Sequence, residues 1–265
     1  MIVPIDDPAD PRVAPYLQVR ERDLVGRRGE FIAEGEVVLR VLLSGHARCN
    51  ANSLLLAADR IERLAALIKP LDATIPVYAA SQAVMDAVVG FHIHRGILAH
   101  GMRPSDPGAA ALLEGLPPRA LVVALFGISN HDNIGGVFRN AAAFGADAVL
   151  IDPACCDPLY RKAIRVSVGA TLKVPFARLS AQDDVLAMLA RAGFETLALT
   201  PGGAEPLSQV TRSPRAAVLL GAEGAGLPPA LLAGARALAI PMAPGWDSLN
   251  VAAASAVVLH HLATG

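Results

Sequence analysis

Between Leu121 and Phe126 six consecutive residues are apolar, the pattern of a strand buried on both faces. Further runs at Ala148 to Ile151, Glu195 to Leu199, Ala216 to Leu220 and Ala237 to Ile240 predict four more strands. Helices fit between them at Ile134 to Phe144, Leu159 to Val168, Gln182 to Arg191 and Pro229 to Leu232. In the first of these, Ile134, Val137, Phe138, Ala141 and Ala142 fall on one apolar face, with Asp132 or Asn133 placed to cap it. Strands alternating with helices predict a mainly parallel sheet covered on both sides, an α/β architecture. Ligands on such sheets bind beyond the carboxyl ends of the strands.

A smaller α/β domain precedes this one. Its expected helices are an amphipathic one at Glu36, Val37, Val38, Val41 and Leu42, a second from Asp59 to Ile68 capped by Asp59, and a third from Gln82 to Val89. Its expected strands are Ser53 to Ala57, Ile75 to Ala79 and Gly96 to Ala99. Residues 1–15 are dense in Pro and Asp and read as a loose arm. Pro104, Pro107, Gly108, Gly115, Pro117 and Pro118 place a linker at 103–119, with a short Ala/Leu helical turn inside it. The predicted domains are therefore 16–102 and 120–265.

Composition supports a large core: 53% of the 265 residues are hydrophobic and only 4% aromatic. That core must be Ala, Val and Leu, as where helices pack closely on a sheet. The net charge of -1 gives no general attraction to polyanions. A nucleic-acid partner would need a local patch, and the candidates are Arg20, Arg22, Arg27 and Arg28, or Arg161, Lys162 and Arg165. Cys49, Cys155 and Cys156 form no CxxC pair and the His residues lack i, i+4 spacing, so a reduced, cytoplasmic setting without metal is expected. No basic region leads into an apolar run at the start, and no apolar segment reaches 18 residues, which predicts neither signal peptide nor membrane span.

Three stretches carry candidate chemistry. Asn133 to Arg139 opens a helix, and Arg139 lies about 140° around the wheel from Ile134. It therefore faces solvent, a cleft or a partner subunit. Leu220-Gly221-Ala222-Glu223-Gly224-Ala225-Gly226-Leu227 follows a strand, and its glycines permit a tight bend around one charged side chain, Glu223. Ile240-Pro241-Met242 ends a strand, Pro244-Gly245 turns the chain, and Asp247 or Ser248 is placed to cap a helix starting near Leu249. A strand end facing a helix start leaves backbone groups for an adenosine-like ligand. The GxGxxG fingerprint and the GxSxG elbow are both absent.

The ordered trio resembles the motifs of the SpoU/TrmH branch of SPOUT RNA methyltransferases: Asn133 with Arg139, then Leu220 to Leu227, then Ile240 to Met242 with Ser248 to Val251. Arg165-Val166-Ser167-Val168-Gly169-Ala170 is similar to a segment of ribosomal RNA ribose methyltransferases in that branch. Phe31 to Gly35 and Gly96 to Ala99 are similar to an L30e-like RNA-binding domain, so the resemblance spans about residues 16–263. It implies a C-terminal trefoil knot, a homodimer, and S-adenosyl-L-methionine held around Leu199, Thr200, Gly221, Glu223, Ile240, Met242 and Leu249. It further implies methyl transfer to a ribose 2'-hydroxyl of RNA, ribosomal RNA being favoured. The resemblance makes Arg139 the base, but a guanidinium keeps its proton in proteins, so it is expected instead to grip a phosphate; Asn133, Ser248 and Asn250 would fix the ribose, and Glu223 would orient Arg139 or the bend. Arg27, Arg28, Arg165 and Ser167 would contact RNA. Transfer RNA as substrate, or a non-catalytic RNA-binding factor on the same fold, are the alternative readings.

Overall fold

A computed structural model describes residues 2–17 and 24–264, with the side chains of Leu24 and Arg27 excepted. Two compact units emerge, one formed by Met1–Pro104 with Leu159–Lys173, the other by Ser105–Pro158 with Val174–Gly265.

The first unit holds a five-stranded sheet of order β1-β4-β3-β5-β2. Its strands are β1 (Ile2–Ile5), β2 (Glu30–Glu34), β3 (Asn50–Ala57), β4 (Val77–Ala80) and β5 (Ile97–Met102). The helices are α1 (Glu36–Leu42), α2 (Ala65–Ile68) and α3 (Gln82–Val89), the last capped by Ser81, whose Oγ accepts from Val84 N. The expected loose arm is instead β1, paired in parallel with β4 from Ile2 against Val77 to Ile5 against Ala80. Pro4 is tolerated because β1 is an edge strand with one side free of ladder bonds. After β1, the 3-10 turn Pro11–Tyr16 buries Val13 and Tyr16 in the same core as Leu55, Met85 and Leu98. The predicted Asp59 helix is also corrected: Ala58–Arg60 is a 3-10 turn without a side-chain cap, and only Ala65–Ile68 is α-helical. Strand β2 alternates, Phe31 and Ala33 buried and Ile32 partly so, which is how a strand of a half-covered sheet should read.

The second unit is a seven-stranded parallel sheet of order β10-β12-β9-β11-β6-β7-β8. Strands are β6 (Ala120–Leu125), β7 (Ala148–Ile151), β8 (Phe176–Arg178), β9 (Glu195–Leu199), β10 (Glu205–Pro206), β11 (Arg215–Leu220) and β12 (Arg236–Ala239). Helices are α4 (Ala109–Glu114), α5 (His131–Ala143), α6 (Arg161–Val166), α7 (Val185–Arg191), α8 (Pro229–Ala233) and α9 (Val251–Thr264), of which α6 belongs to the first unit. All six residues of β6 are buried, as its unbroken apolar run demands. The linker predicted at 103–119 is partly structural, since Ala109 and Leu113 of α4 enter the core of this unit. The excursion 159–173, predicted as part of the second domain, packs instead in the first: α6 lies on β2, and Arg48 N donates to Leu172 O.

Register places the site. Leu220 pairs with Leu125, Leu219 with Ala198, and Leu238 with Leu199. The carboxyl ends of β6, β9, β11 and β12 therefore lie together. The chain leaves β6 toward β7 and β8 and then returns to build β9 and β11 on its other side, a reversal of strand order that opens a crevice at those ends.

Candidate active site

Each of the three stretches folds as its local chemistry requires. Helix α5 is capped not by Asp132 or Asn133 but by Asn130, whose Oδ1 accepts from Asp132 N at 2.8 Å. Ile134, Val137, Phe138 and Ala141 are fully buried, and Arg139 is exposed, making no hydrogen bond or ion pair among the described residues. After β11 the chain folds back on itself: Gly226 N donates to Ala222 O at 2.9 Å, and a Cβ on Gly221 would lie 2.2 Å from the Gly226 carbonyl carbon. Gly224 and Gly226 adopt φ of 82° and 69°, which side-chain-bearing residues avoid. This bend presents Glu223 at its tip. Before α9, neither Asp247 nor Ser248 is the cap; Asn250 Oδ1 accepts from Ala252 N at 2.9 Å and Ala253 N at 3.3 Å.

Side chains then tie the three stretches together. Asn250 Nδ2 donates to Glu223 Oε1 at 2.7 Å and to Asn133 Oδ1 at 2.8 Å, and Asn133 Nδ2 donates to the same Glu223 oxygen at 3.1 Å. The carboxylate acceptor makes two of these bonds charge-assisted and so stronger than neutral ones. Asn133 is buried. Its amide and that of Asn250 hold the bend rather than standing open to a ribose, and Glu223 orients the two asparagines rather than Arg139. Ser248 remains available on the surface, its hydroxyl donating to Asp247 Oδ1 at 3.3 Å.

Behind this network, α9 sits tightly on α5. Asn140 Nδ2 donates to Ala252 O at 2.7 Å and Ser255 Oγ at 2.9 Å. Gly136 faces Ala252 so closely that an added Cβ would approach the alanine methyl to 2.6 Å. Neither Asn140 nor Gly136 is singled out by the apolar periodicity, because both act through closeness of contact rather than through hydrophobicity.

The network borders a cavity of about 580 Å³ lined by Leu199, Thr200, Gly221, Glu223, Ile240, Met242 and Leu249, with Ala222, Asp247, Ser248 and Asn250 completing its rim. Every residue expected around an adenosine-like ligand is thus on one wall, whereas Arg139 is not among the lining residues. Of the residues expected at RNA, Arg28 is exposed, the side chain of Arg27 lies outside the described residues as do Arg20 and Arg22, and Arg165 Nη1 stands 3.8 Å from Glu34 Oε2. Ser167 does not fit that role: it is buried, and its hydroxyl donates to Ile164 O at 2.9 Å to close α6. Thiol chemistry is disfavoured near the sheet ends, because burial pushes Cys155 up to about 12. Among the described residues no group of three or more His, Cys, Asp or Glu could hold a metal, and no helix is long and apolar enough to cross a membrane.

Comparison with known proteins agrees with this geometry. An uncharacterised tRNA/rRNA methyltransferase of Mycobacterium bovis is 39% identical, the match covering 98% of this chain and 93% of the relative. An AdoMet-bound rRNA methyltransferase from Sinorhizobium meliloti superposes with TM-score 0.80 at 24% identity, covering 98% of this chain and 97% of that one. The SpoU methyltransferase AviRb from Streptomyces viridochromogenes, in complex with AdoMet, gives 0.81 at 22% identity, covering 96% and 97%. The smaller α/β unit resembles the corresponding domain in these neighbours. This chain belongs to the SpoU rRNA methylase family, whose model matches residues 120–260. It is accordingly an RNA methyltransferase of the SpoU/TrmH kind.

Proposed function

We propose that the chain transfers the methyl group of S-adenosyl-L-methionine to a ribose 2'-hydroxyl of ribosomal RNA, acting in the cytoplasm as a homodimer. The observation that carries this reading is the hydrogen-bonded junction of Asn133, Glu223 and Asn250 beside a cavity at the strand ends. At about 580 Å³ the cavity falls in the ~300–1,000 Å³ range of small-molecule sites. Its wall combines apolar Leu199, Ile240, Met242 and Leu249 with the polar groups of Thr200, Ser248 and Glu223, which suits a ligand with an aromatic base at one end and charges at the other. When bound, S-adenosyl-L-methionine supplies an electrophilic methyl on a sulfonium.

The protein's own contribution is positioning. Glu223 and the two asparagines keep the bend and the start of α9 in one arrangement. Arg139, exposed and without a hydrogen bond or ion pair among the described residues, is suited to hold a phosphate beside the target ribose with two parallel N–H bonds. A guanidinium does not lose its proton in proteins, so it orients the 2'-hydroxyl while the proton leaves to phosphate or water. Dimerisation is supported by apolar surface at and before the C-terminal helix: Trp246 is 76%, Leu249 44% and Val257 42% exposed. The threading of this region as a trefoil knot is part of the same reading.

The test is transfer of labelled methyl to purified ribosomal and transfer RNA, followed by nucleoside analysis, comparing wild type with Arg139→Ala and Arg139→Lys. A 2'-O-methyl nucleoside in ribosomal RNA, lost in both variants, is the expected result. Label on a base contradicts the ribose assignment, label on tRNA alone contradicts the substrate, and normal turnover by Arg139→Lys contradicts the bidentate role.

A further inference from the structure

The loop between β12 and α9 carries a side chain that neither the hydrogen-bonded network nor the cavity uses. Ala243-Pro244-Gly245-Trp246 closes a turn, Trp246 N donating to Ala243 O at 3.2 Å with Gly245 at φ 89°. Proline at the second place and a positive-φ glycine at the third are the marks of a type II turn, so the backbone here is fixed locally by its own sequence. The turn sets the Trp246 side chain outward, 76% exposed. This is the one tryptophan of a chain with only 4% aromatic residues, and a ring of that size left in water contributes nothing to the core. Among the described residues it has no ring or cation partner, whereas the other strongly exposed aromatic, Phe91, lies 5.0 Å from the Arg161 guanidinium. Both ends of the turn are anchored in the cofactor cavity: Met242 before it and Asp247 and Ser248 after it line the wall, while Trp246 does not. The indole therefore stands outside the cofactor space, next in sequence to its rim. Asp247 is exposed beside it, and a carboxylate there repels phosphate. An uncharged aromatic partner suits this place better than the RNA backbone does. Leu249 and Val257 offer a partner subunit apolar surface at α9 that does not depend on this turn.

We infer that Trp246 stacks on the base of the nucleotide whose ribose is methylated. The inference rests on the ribose 2'-hydroxyl reading and adds to it the residue that holds the other half of the target nucleoside. With the 2'-hydroxyl directed at the methyl inside the cavity, the base on the same ribose is left at the mouth. Unpaired RNA bases are held by stacking on aromatic side chains. Every base has a face to stack, so Trp246 places the nucleotide without choosing among the four bases. A ring already fixed by a closed turn loses little freedom on binding, which favours the contact.

The experiment follows methyl transfer from labelled S-adenosyl-L-methionine to ribosomal RNA for wild type, Trp246→Phe, Trp246→Leu and Trp246→Ala. Cofactor binding by calorimetry and oligomeric state by sedimentation are measured in parallel. Phenylalanine keeps a ring, and leucine keeps an apolar side chain without one. Loss of one base stack is expected to raise KM for RNA about tenfold or more in the leucine and alanine variants, with phenylalanine restoring most of the loss. Cofactor affinity and oligomeric state are kept. Emission of the sole tryptophan is quenched by RNA and not by S-adenosyl-L-methionine. Once nucleoside analysis has located the methylated position, a short synthetic RNA containing it is compared with its abasic counterpart, which retains the ribose 2'-hydroxyl. Wild type should lose on the abasic RNA what Trp246→Ala loses on the intact one, and the variant should lose little more, since the two changes remove the same contact. Additive losses, or a leucine variant equal to wild type, overturn the inference. Dissociation of the dimer in the leucine and alanine variants assigns the indole to the partner subunit, and weakened cofactor binding with RNA kinetics unchanged assigns it to the cofactor; either overturns the inference as well. All of these leave the ribose reading intact. Absence of a 2'-O-methyl nucleoside from the wild-type product overturns that reading and this inference with it.

Discussion

Gly136 and Ala252 offer a direct test of how closely α5 and α9 must approach for the site to exist. Gly136→Ala adds a methyl whose carbon would lie 2.6 Å from the Ala252 methyl and 4.0 Å from its Cα. Overpacking of this kind costs about 1–3 kcal/mol, while replacing glycine inside a helix returns about 1 kcal/mol. The single variant should thus be between neutral and about 2 kcal/mol less stable. Ala252→Gly alone loses roughly 0.5–1 kcal/mol of helix preference. Together they should nearly restore the wild type, because the added carbon then meets only the Cα at ordinary contact distance. The coupling expected is about 1–3 kcal/mol, well outside the ~0.5 kcal/mol within which independent sites add. Unfolding by urea or by calorimetry measures it. Because Asn250 caps α9 two residues before Ala252, cofactor affinity should follow the same pattern, weakened in Gly136→Ala and recovered in the double variant. Additive stabilities, with cofactor affinity unmoved by Gly136→Ala, would refute the reasoning.

Two further outcomes follow from the first unit. Asp86 accepts from Gln82 Nε2 and Ile93 N and pairs with His92 Nδ1; the His92 bond, foremost, holds its carboxyl down at about 2. Its contribution to stability is present above the unfolded value near 3.8 and is lost as pH falls through about 2. The urea midpoint of wild type should therefore lead that of Asp86→Asn above pH ~4 and converge on it toward pH ~2, and a constant gap would count against it. Val168 is the only non-glycine with positive φ among the described residues, at 55°, a conformation that disfavours β-branched side chains by about 1–2 kcal/mol. Val168→Asn should raise Tm, with a gain of up to about 1 kcal/mol, since asparagine tolerates this region; a loss of similar size would show that packing outweighs the strain.

What could be read from the chain divides along physical lines. Strands β6, β7, β9, β11 and β12 are legible because a parallel strand covered on both faces must be an apolar run, and α5 because its face repeats at helical spacing. Strands β1, β8 and β10 are not, since each is short and an edge, and β1 owes its existence to pairing with β4, far along the chain. The helix caps lie a few residues from the expected ones for a local reason: Asp132, Asn133, Asp247 and Ser248 are all competent, and only tertiary packing selects Asn130 and Asn250. The cavity wall was legible through its motifs. The bonding of Glu223 to Asn133 and Asn250 was not, because side chains separated by 90 and 27 positions leave no mark on periodicity.

The placement of Leu159–Lys173 with the first unit bears on how such a protein can be recombined. Cutting at 103–119, where proline and glycine invite a boundary, would sever a partnership that the excursion makes with β2 and with Arg48. A chimera that exchanges the front half for another RNA-binding module would leave Ala163, Ile164 and Leu172 without the surface that buries them. The two halves are therefore bound to be inherited as a pair, and any lineage that acquires a new front module must either keep the face that receives this excursion or rewrite the excursion with it.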